Sequence, residues 1–148
     1  MAILADYLVI AAPNFLLEMG RKGSKTGEKT FKFSLPSGVQ FDANHPMLLH
    51  YQVGLVTSRD TDNQVRLQVS INNENLAPER FITGHIPSMV EAALIYSGFR
   101  NAIKLTGQNT IRFKIDEQAP SRIGRLRGDS LSFRTVVLLF QRDSNAAD

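Results

Sequence analysis

Apolar and polar residues alternate along several short stretches of this chain, most regularly in its second half. The alternation runs over residues 65–71, breaks at Asn72 and Asn73, and returns over residues 110–115. Because successive side chains of a β-strand point to opposite faces, this pattern indicates strands with one buried face and one face in water. Asparagines at the break are typical of turns between antiparallel strands. The second half of the chain therefore predicts half-buried antiparallel strands.

Similar stretches elsewhere predict further strands. They cover residues 6–12, 14–19, 30–35, 48–57 and 130–141. Pro13 ends the first of them, since proline cannot donate a backbone hydrogen bond to a sheet. The polar residues 60–63 separate the strand at 48–57 from the strand at 65–71, so we expect these two strands to pair as a hairpin.

One segment departs from the strand pattern. Ser88 stands three residues before Glu91, the spacing of a capping box, in which two side chains bond free backbone N–H groups at a helix start. This spacing predicts a short helix over residues 89–97 that ends at Gly98, although residues 93–96 also suit a strand. Many strands without a regular strand–helix alternation predict an all-β fold, an antiparallel jelly-roll-like β-sandwich with one short helix.

Length and composition set the size of the fold. The chain has 148 residues, of which 43% are hydrophobic and 21% charged, as is ordinary for a soluble globular domain. We therefore expect one domain over residues 1–148, with a frayed polar tail at 143–148. Cysteine is absent, which excludes a disulfide framework, a thiolate metal site and a cysteine nucleophile.

Three stretches resemble a known family. Residues 67–73 read LQVSINN, residues 105–113 read LTGQNTIRF, and the chain closes with GRL at 124–126 and VVL at 136–138. Together they resemble the galactose-binding-like jelly-roll β-sandwich, which includes sugar-binding domains of glycoside hydrolases and related lectins. The resemblance covers residues 65–141 and departs from the family pattern at Asn73, where glycine is usual. It implies a sandwich fold and a sugar-binding role.

No set of residues predicts a reaction. His45, His50 and His85 lack the spacings that place two imidazoles on one metal, and no G-x-S-x-G motif is present. Residues 60–63 resemble the start of an EF-hand calcium loop, but the Gly and Glu that this loop needs are missing. We therefore predict a protein that is not an enzyme and has no cofactor and no metal. A hydrolase accessory domain is a distant alternative.

The charge of the chain is mildly basic. The formal net charge is +3, and part of the excess lies in Arg122, Arg125 and Arg127. Such a cluster attracts acidic partners, so these three arginines are the candidate ligand-binding residues for an acidic glycan or another anion. No aromatic residues interleave with them to stack bases, which argues against nucleic acid. Trp is the residue most often used to stack on sugars, and the chain has none. This absence weakens the prediction of carbohydrate binding but does not exclude it.

The final predicted strand is apolar on both faces over residues 136–140. A sandwich strand normally shows one face to water, so this second face is covered either by the chain's own core and helix or by another subunit. In the second case Val136, Leu138 and Phe140 are the candidate self-association residues.

Two functions follow from these patterns. The first is a non-catalytic structural or assembly module that self-associates as a homo-oligomer into a multimeric particle or larger complex. The alternative is a lectin-like module that binds a carbohydrate or an anionic ligand. No run approaches the roughly 20 apolar residues of a membrane span. The N-terminal stretch lacks the basic start of a signal peptide, so we expect a cytoplasmic location or release without a Sec-type signal.

Overall fold

The computed structural model describes residues 2–18, 27–56, 64–76, 80–83, 89–95, 102–115 and 130–146. This part of the chain forms twelve β-strands and no helix, which confirms the predicted all-β class. The strands are β1 (Ile3–Ala11), β2 (Phe15–Glu18), β3 (Glu28–Ser34), β4 (Val39–Gln40), β5 (Met47–Val56), β6 (Gln64–Ile71), β7 (Glu74–Asn75), β8 (Arg80–Thr83), β9 (Met89–Ile95), β10 (Gln108–Ile115), β11 (Ser130–Phe133) and β12 (Val136–Asp143). Within the described ranges, no helical segment has the length and apolar character to cross a membrane.

The strands form two antiparallel sheets. In the first sheet, β11 and β12 pair with one side of β5, and β9 pairs with its other side. β1 and β4 pair with β12, and β2 pairs with β11. In the second sheet, β10 lies between β3 and β6, and both β7 and β8 pair with β6. The two sheets pack face to face, as the predicted sandwich requires.

The helix predicted over residues 89–97 is wrong for the described part of that segment. Met89–Ile95 forms β9, which pairs antiparallel with seven residues of β5 from Met47 to Val53. Ala93 and Ile95 are buried in the core. The ladder with β5 runs along the whole of this segment, and this tertiary pairing outweighs the local helix signal of Ser88 and Glu91.

The predicted hairpin between the strands at 48–57 and 65–71 is also wrong. β5 belongs to the first sheet, whereas β6 belongs to the second. The chain therefore crosses from one sheet to the other between Val56 and Gln64 instead of turning back on itself. Polar residues between two strands mark a connection, but they do not say which sheet the next strand joins.

Aromatic rings from both sheets form the centre of the core. Phe15 and Phe133 of the first sheet stack with ring centroids 4.5 Å apart. Phe113 of the second sheet meets Tyr51 edge-on at 5.4 Å and Phe133 at 5.2 Å. Offset and edge-on pairs of this kind are the favoured ring geometries. Phe113 is fully buried, as its place in the alternating strand predicted.

The final strand is covered on its inner face by the chain itself. Val136 and Leu138 are fully buried, and Phe140 is 3% exposed, all within the hydrophobic core between the sheets. These three predicted self-association residues therefore cannot contact a second subunit unless the sandwich opens. The outward residue Leu139 of the same strand is 41% exposed. Self-association stays a prediction, and on this strand it would have to use the outer face.

Backbone hydrogen bonds continue into residues 143–146, which the sequence predicted to be part of a frayed tail. Asp143 belongs to β12, and the Ser144 N–H donates to the Ala2 carbonyl at 2.9 Å. The Asp143 N–H donates to the Gly38 carbonyl, also at 2.9 Å. Residues 143–146 thus close one end of the first sheet, and residues 147–148 lie outside the described part.

Candidate functional site

The outer face of the second sheet carries polar and charged side chains in register across three strands. Because Phe31, Phe33 and Phe113 alternate inward, their neighbours on β3 and β10 point to the outside. The same alternation on β6 buries Leu67, Val69 and Ile71 and turns Arg66 and Gln68 outward, while Ser70 is buried.

These outward residues form one array, here called the basic face. It consists of Glu28, Thr30, Lys32 and Ser34 from β3, Gln108, Thr110, Arg112 and Lys114 from β10, and Arg66 and Gln68 from β6. Four of these side chains are cationic and one is a carboxylate. The β3 members are exposed, whereas those of β10 after Gln108 are half-buried because a strand flanks them on each side.

The register places the cations close together. Arg112 lies opposite Thr30 of β3, and Lys114 lies between Glu28 of β3 and Gln68 of β6. Neighbouring strands are about 4.8 Å apart, and alternate residues along a strand are about 6.6 Å apart. Lysine and arginine side chains bridge such distances easily, so the array presents a broad positive surface with hydroxyl and amide groups between the charges.

The outer face of the first sheet has the opposite character. Tyr7 and Leu139 lie opposite each other and are 64% and 41% exposed. Val9 lies opposite Val137 and is 40% exposed, and Ile3 extends the same row. We call these five residues the apolar face. A soluble sheet normally turns polar residues to water, so the exposed apolar row marks a surface suited to apolar contact.

The exposed tyrosine and the cations lie on opposite sides of the sandwich. Tyr7 is the exposed aromatic residue among those the structure describes, while Tyr51 is buried in the core. Among the side chains that the structure describes, no exposed ring joins Arg112 and Lys114 in one site. Charge and hydrogen bonding are what the basic face offers to a ligand.

The predicted ligand-binding residues Arg122, Arg125 and Arg127 lie outside the described residues. The two described ends that flank their segment are Ile115 of β10 and Ser130 of β11. The Ile115 N–H donates to the Gly27 carbonyl at 2.9 Å, so the chain leaves the basic face next to Lys114 and Glu28. Lys32, Arg66, Arg112 and Lys114 were not singled out from the sequence. Their signal was the outward half of each alternating strand, but the strand pairing that brings them together was needed to see it.

The sequence motif that carried the family resemblance has a structural role. Asn109 is fully buried, and its side-chain oxygen accepts from the Lys104 N–H at 2.7 Å and from Asn72 Nδ2 at 2.8 Å. Its own Nδ2 donates to the Lys104 carbonyl at 2.9 Å. Asn72 Oδ1 accepts from the Thr110 N–H at 2.9 Å. These bonds tie the loop before β10 to the β6–β7 turn, so the motif holds the fold together at this end.

A second polar cluster is a local turn. Asp42 Oδ1 accepts from the Asn44 N–H at 2.8 Å and lies 2.8 Å from His45 Nδ1. The Asn44 N–H and then His45 hold the pKa of the Asp42 carboxyl below its usual value. His50 lies on the outer side of β5, between buried Leu49 and Tyr51. In the described part of the chain, no three His, Asp or Glu side chains gather closely enough to hold a metal.

No family model matches the chain, and no curated protein matches it in sequence. Among solved structures, the dimeric latent PorU of Porphyromonas gingivalis is similar over 97% of this chain, with a TM-score of 0.57 and 8% identity. The chain spans only 13% of the PorU chain.

Two carbohydrate-binding modules are also similar in structure. One is CBM36 in complex with calcium and xylotriose, with a TM-score of 0.43 and 8% identity over 95% of this chain and 99% of that one. The other is a family 35 module from Clostridium thermocellum, with a TM-score of 0.39 and 9% identity over 93% of this chain and 98% of that one. At these identities the likeness concerns the fold alone.

Proposed function

We propose that this chain is a non-catalytic binding module whose basic face binds an acidic carbohydrate. The observation that carries the proposal is the row of cations across three paired strands, with Arg112 and Lys114 at its centre. An acidic polymer repeats its negative charges along an extended chain, and a flat sheet with regularly spaced cations complements it.

The polar neighbours of the cations support a sugar as the ligand. Thr30, Gln68 and Thr110 stand between the charged side chains, and their hydroxyl and amide groups both donate and accept hydrogen bonds. Sugar hydroxyl groups need such partners when they leave water. The sequence resemblance of residues 65–141 to sugar-binding sandwich domains favours a carbohydrate over other anions.

Arg122, Arg125 and Arg127, which lie outside the described residues, remain proposed ligand-binding residues for the same acidic ligand. Their segment follows Ile115, next to Lys114. The four cations of the basic face would bind a polyanion through several weak contacts. Each contact between exposed charges contributes little and is screened by salt. Affinity should therefore fall steeply as the salt concentration rises.

The test measures binding to a polyuronate oligosaccharide by calorimetry, with a neutral xylan oligosaccharide as the second ligand. We expect Arg112→Ser/Lys114→Ser to weaken polyuronate binding by at least about tenfold, since two charge-assisted contacts are lost. The matched control, Lys104→Ser/Arg134→Ser, removes the same charge from exposed residues that are not part of the basic face and should bind like the parent. The triple change of Arg122, Arg125 and Arg127 to Ser should also weaken binding.

Equal binding by the basic-face variant and its control would contradict the proposal. So would tighter binding of the neutral oligosaccharide than of the charged one. Either result would show that the charges of the basic face do not account for binding, and neither would bear on the fold.

Self-association is a second candidate function, favoured by the apolar face. Tyr7, Val9 and Leu139 expose apolar surface that a second copy of the chain could cover. If it does, light scattering should give an oligomer, and Leu139→Lys should dissociate it while leaving the fold intact. Leu138→Lys, one residue away, should instead unfold the chain because it buries an unpaired charge in the core. A monomeric parent would contradict this candidate.

A further inference from the structure

In the part of the chain that the structure describes, β1 is the edge strand of the first sheet. Among the described strands it pairs with β12 alone. In an antiparallel pair, backbone groups of alternate residues point to the partner strand and those of the residues between point away. The Ser144 N–H donates to the Ala2 carbonyl in the same register, so Leu4, Asp6 and Leu8 bond to β12. The N–H and C=O groups of Ile3, Ala5, Tyr7 and Val9 therefore point to the free edge.

One of these edge amides is already occupied. The Tyr7 N–H donates to Oδ1 of Asp6 at 2.8 Å, although a carboxylate on its own strand is not a ladder partner. The other carboxylate oxygen, Oδ2, lies 3.5 Å from Nε of Arg142 on β12. Arg142 thus helps to position the Asp6 carboxylate, which occupies the Tyr7 N–H in the middle of the β1 edge.

This bond matters because the rest of β1 has the properties of an edge strand to which another strand can pair. Asp6 is the one charged residue in Ile3–Ala11, and the strand contains neither proline nor lysine. Long apolar edge strands pair with other strands unless a charge, a proline or a bulge prevents it. Here the bulge lies beyond Val9, near the end of the strand. Asp6 is therefore the feature that prevents strand pairing in the middle of β1.

We propose that Asp6 guards the edge of β1 against strand addition, and that a second copy of β1 is the partner the edge takes when this carboxylate is removed. Two antiparallel β1 strands related by a two-fold axis near Tyr7 would bond their free edge groups to each other. Without Asp6, the paired strands carry no charge to oppose this contact.

The first test measures hydrogen exchange of the backbone amides in the parent chain. The Tyr7 amide should exchange about tenfold more slowly than those of Ala5 and Val9, which point to the same edge without a described partner, because exchange requires the bond to Asp6 to open. Equal exchange of the three amides would overturn the proposal without any substitution.

The second test compares two variants by light scattering. Asp6→Ala removes the cap and should raise the mass about twofold over the parent. Asp6→Asn keeps an oxygen that accepts from the Tyr7 N–H but removes the charge, so its mass should rise less than that of Asp6→Ala. An unchanged mass for Asp6→Ala, or an equal rise in both variants, would overturn the role of the cap.

A compensating substitution separates strand addition from general destabilisation. Ala5→Pro removes an N–H that points to the free edge and leaves the ladder with β12 intact. Asp6→Ala/Ala5→Pro should therefore return to the mass of the parent. If the double variant associates as strongly as Asp6→Ala alone, association does not use this edge, and the proposal fails.

Discussion

Asn72 and Asn73 form a tight turn although neither residue is glycine. Their backbone φ angles are 49° and 70°, and both central residues of a type I′ turn need positive φ. Asparagine tolerates this conformation better than other residues with a side chain. The sequence was therefore sufficient to locate the turn. It did not predict that the Asn72 side chain also reaches Asn109, since that contact joins residues far apart in the chain.

Asn109 gives the prediction at the residue scale. Asn109→Ala removes a fully buried side chain whose oxygen accepts from the Lys104 N–H and from Asn72 Nδ2, and part-buried donors that lose their partner are costly. We expect a loss of about 2–3 kcal/mol in the free energy of unfolding. Chemical denaturation measures it, and Gln108→Ala, an exposed neighbour on the same strand, serves as the control. A loss equal to that of the control would mean that the network does not stabilise the loop.

At the scale of one element, side chains of β10 alternate between the hydrophobic core and the outer face of the sheet. Phe113 is fully buried among rings of both sheets, while Arg112 lies on the opposite face. Phe113→Ala should lower the free energy of unfolding by about 3–5 kcal/mol, from lost transfer energy and the cavity left behind. Arg112→Ala should cost less than about 0.5 kcal/mol. Thermal melting compares the two, and equal melting temperatures would place this strand in the wrong register.

β9 and β12 show where sequence patterns stop being sufficient. Residues 89–95 carry a helix signal, yet the ladder with β5 makes them a strand. Residues 136–140 are apolar throughout, and this pattern made Val136, Leu138 and Phe140 the candidate self-association residues. The structure places Val136, Leu138 and Phe140 inside. In both cases the deciding interaction comes from a strand distant in sequence.

The whole molecule has two outer faces of opposite character. The second sheet turns Lys32, Arg112 and Lys114 outward, whereas the first sheet exposes Tyr7 and Leu139. Most strands and the sandwich class could be predicted because alternation is a local property. The basic face could not, since it is assembled from three strands whose pairing order is non-local. The sequence drew attention instead to Arg122, Arg125 and Arg127, which stand close together along the chain.

The division between the two faces also separates the proposed interactions. An acidic glycan on the basic face leaves the apolar face and the β1 edge available to other contacts. Ligand binding and association are then independent, so Arg112→Ser/Lys114→Ser should not change the mass of the protein. Likewise, Leu139→Lys should not change its affinity for the ligand.

The most direct test of binding by the basic face is a nuclear magnetic resonance titration of the labelled chain with a polyuronate oligosaccharide. Backbone amide shifts should change with ligand concentration around Thr30, Lys32, Gln68, Arg112 and Lys114, and the changes should shrink as salt is added. The amides of the apolar face should stay unmoved. Shift changes centred on Tyr7 and Leu139, or none at saturating ligand, would contradict the proposal that this sandwich binds acidic sugars through its second sheet.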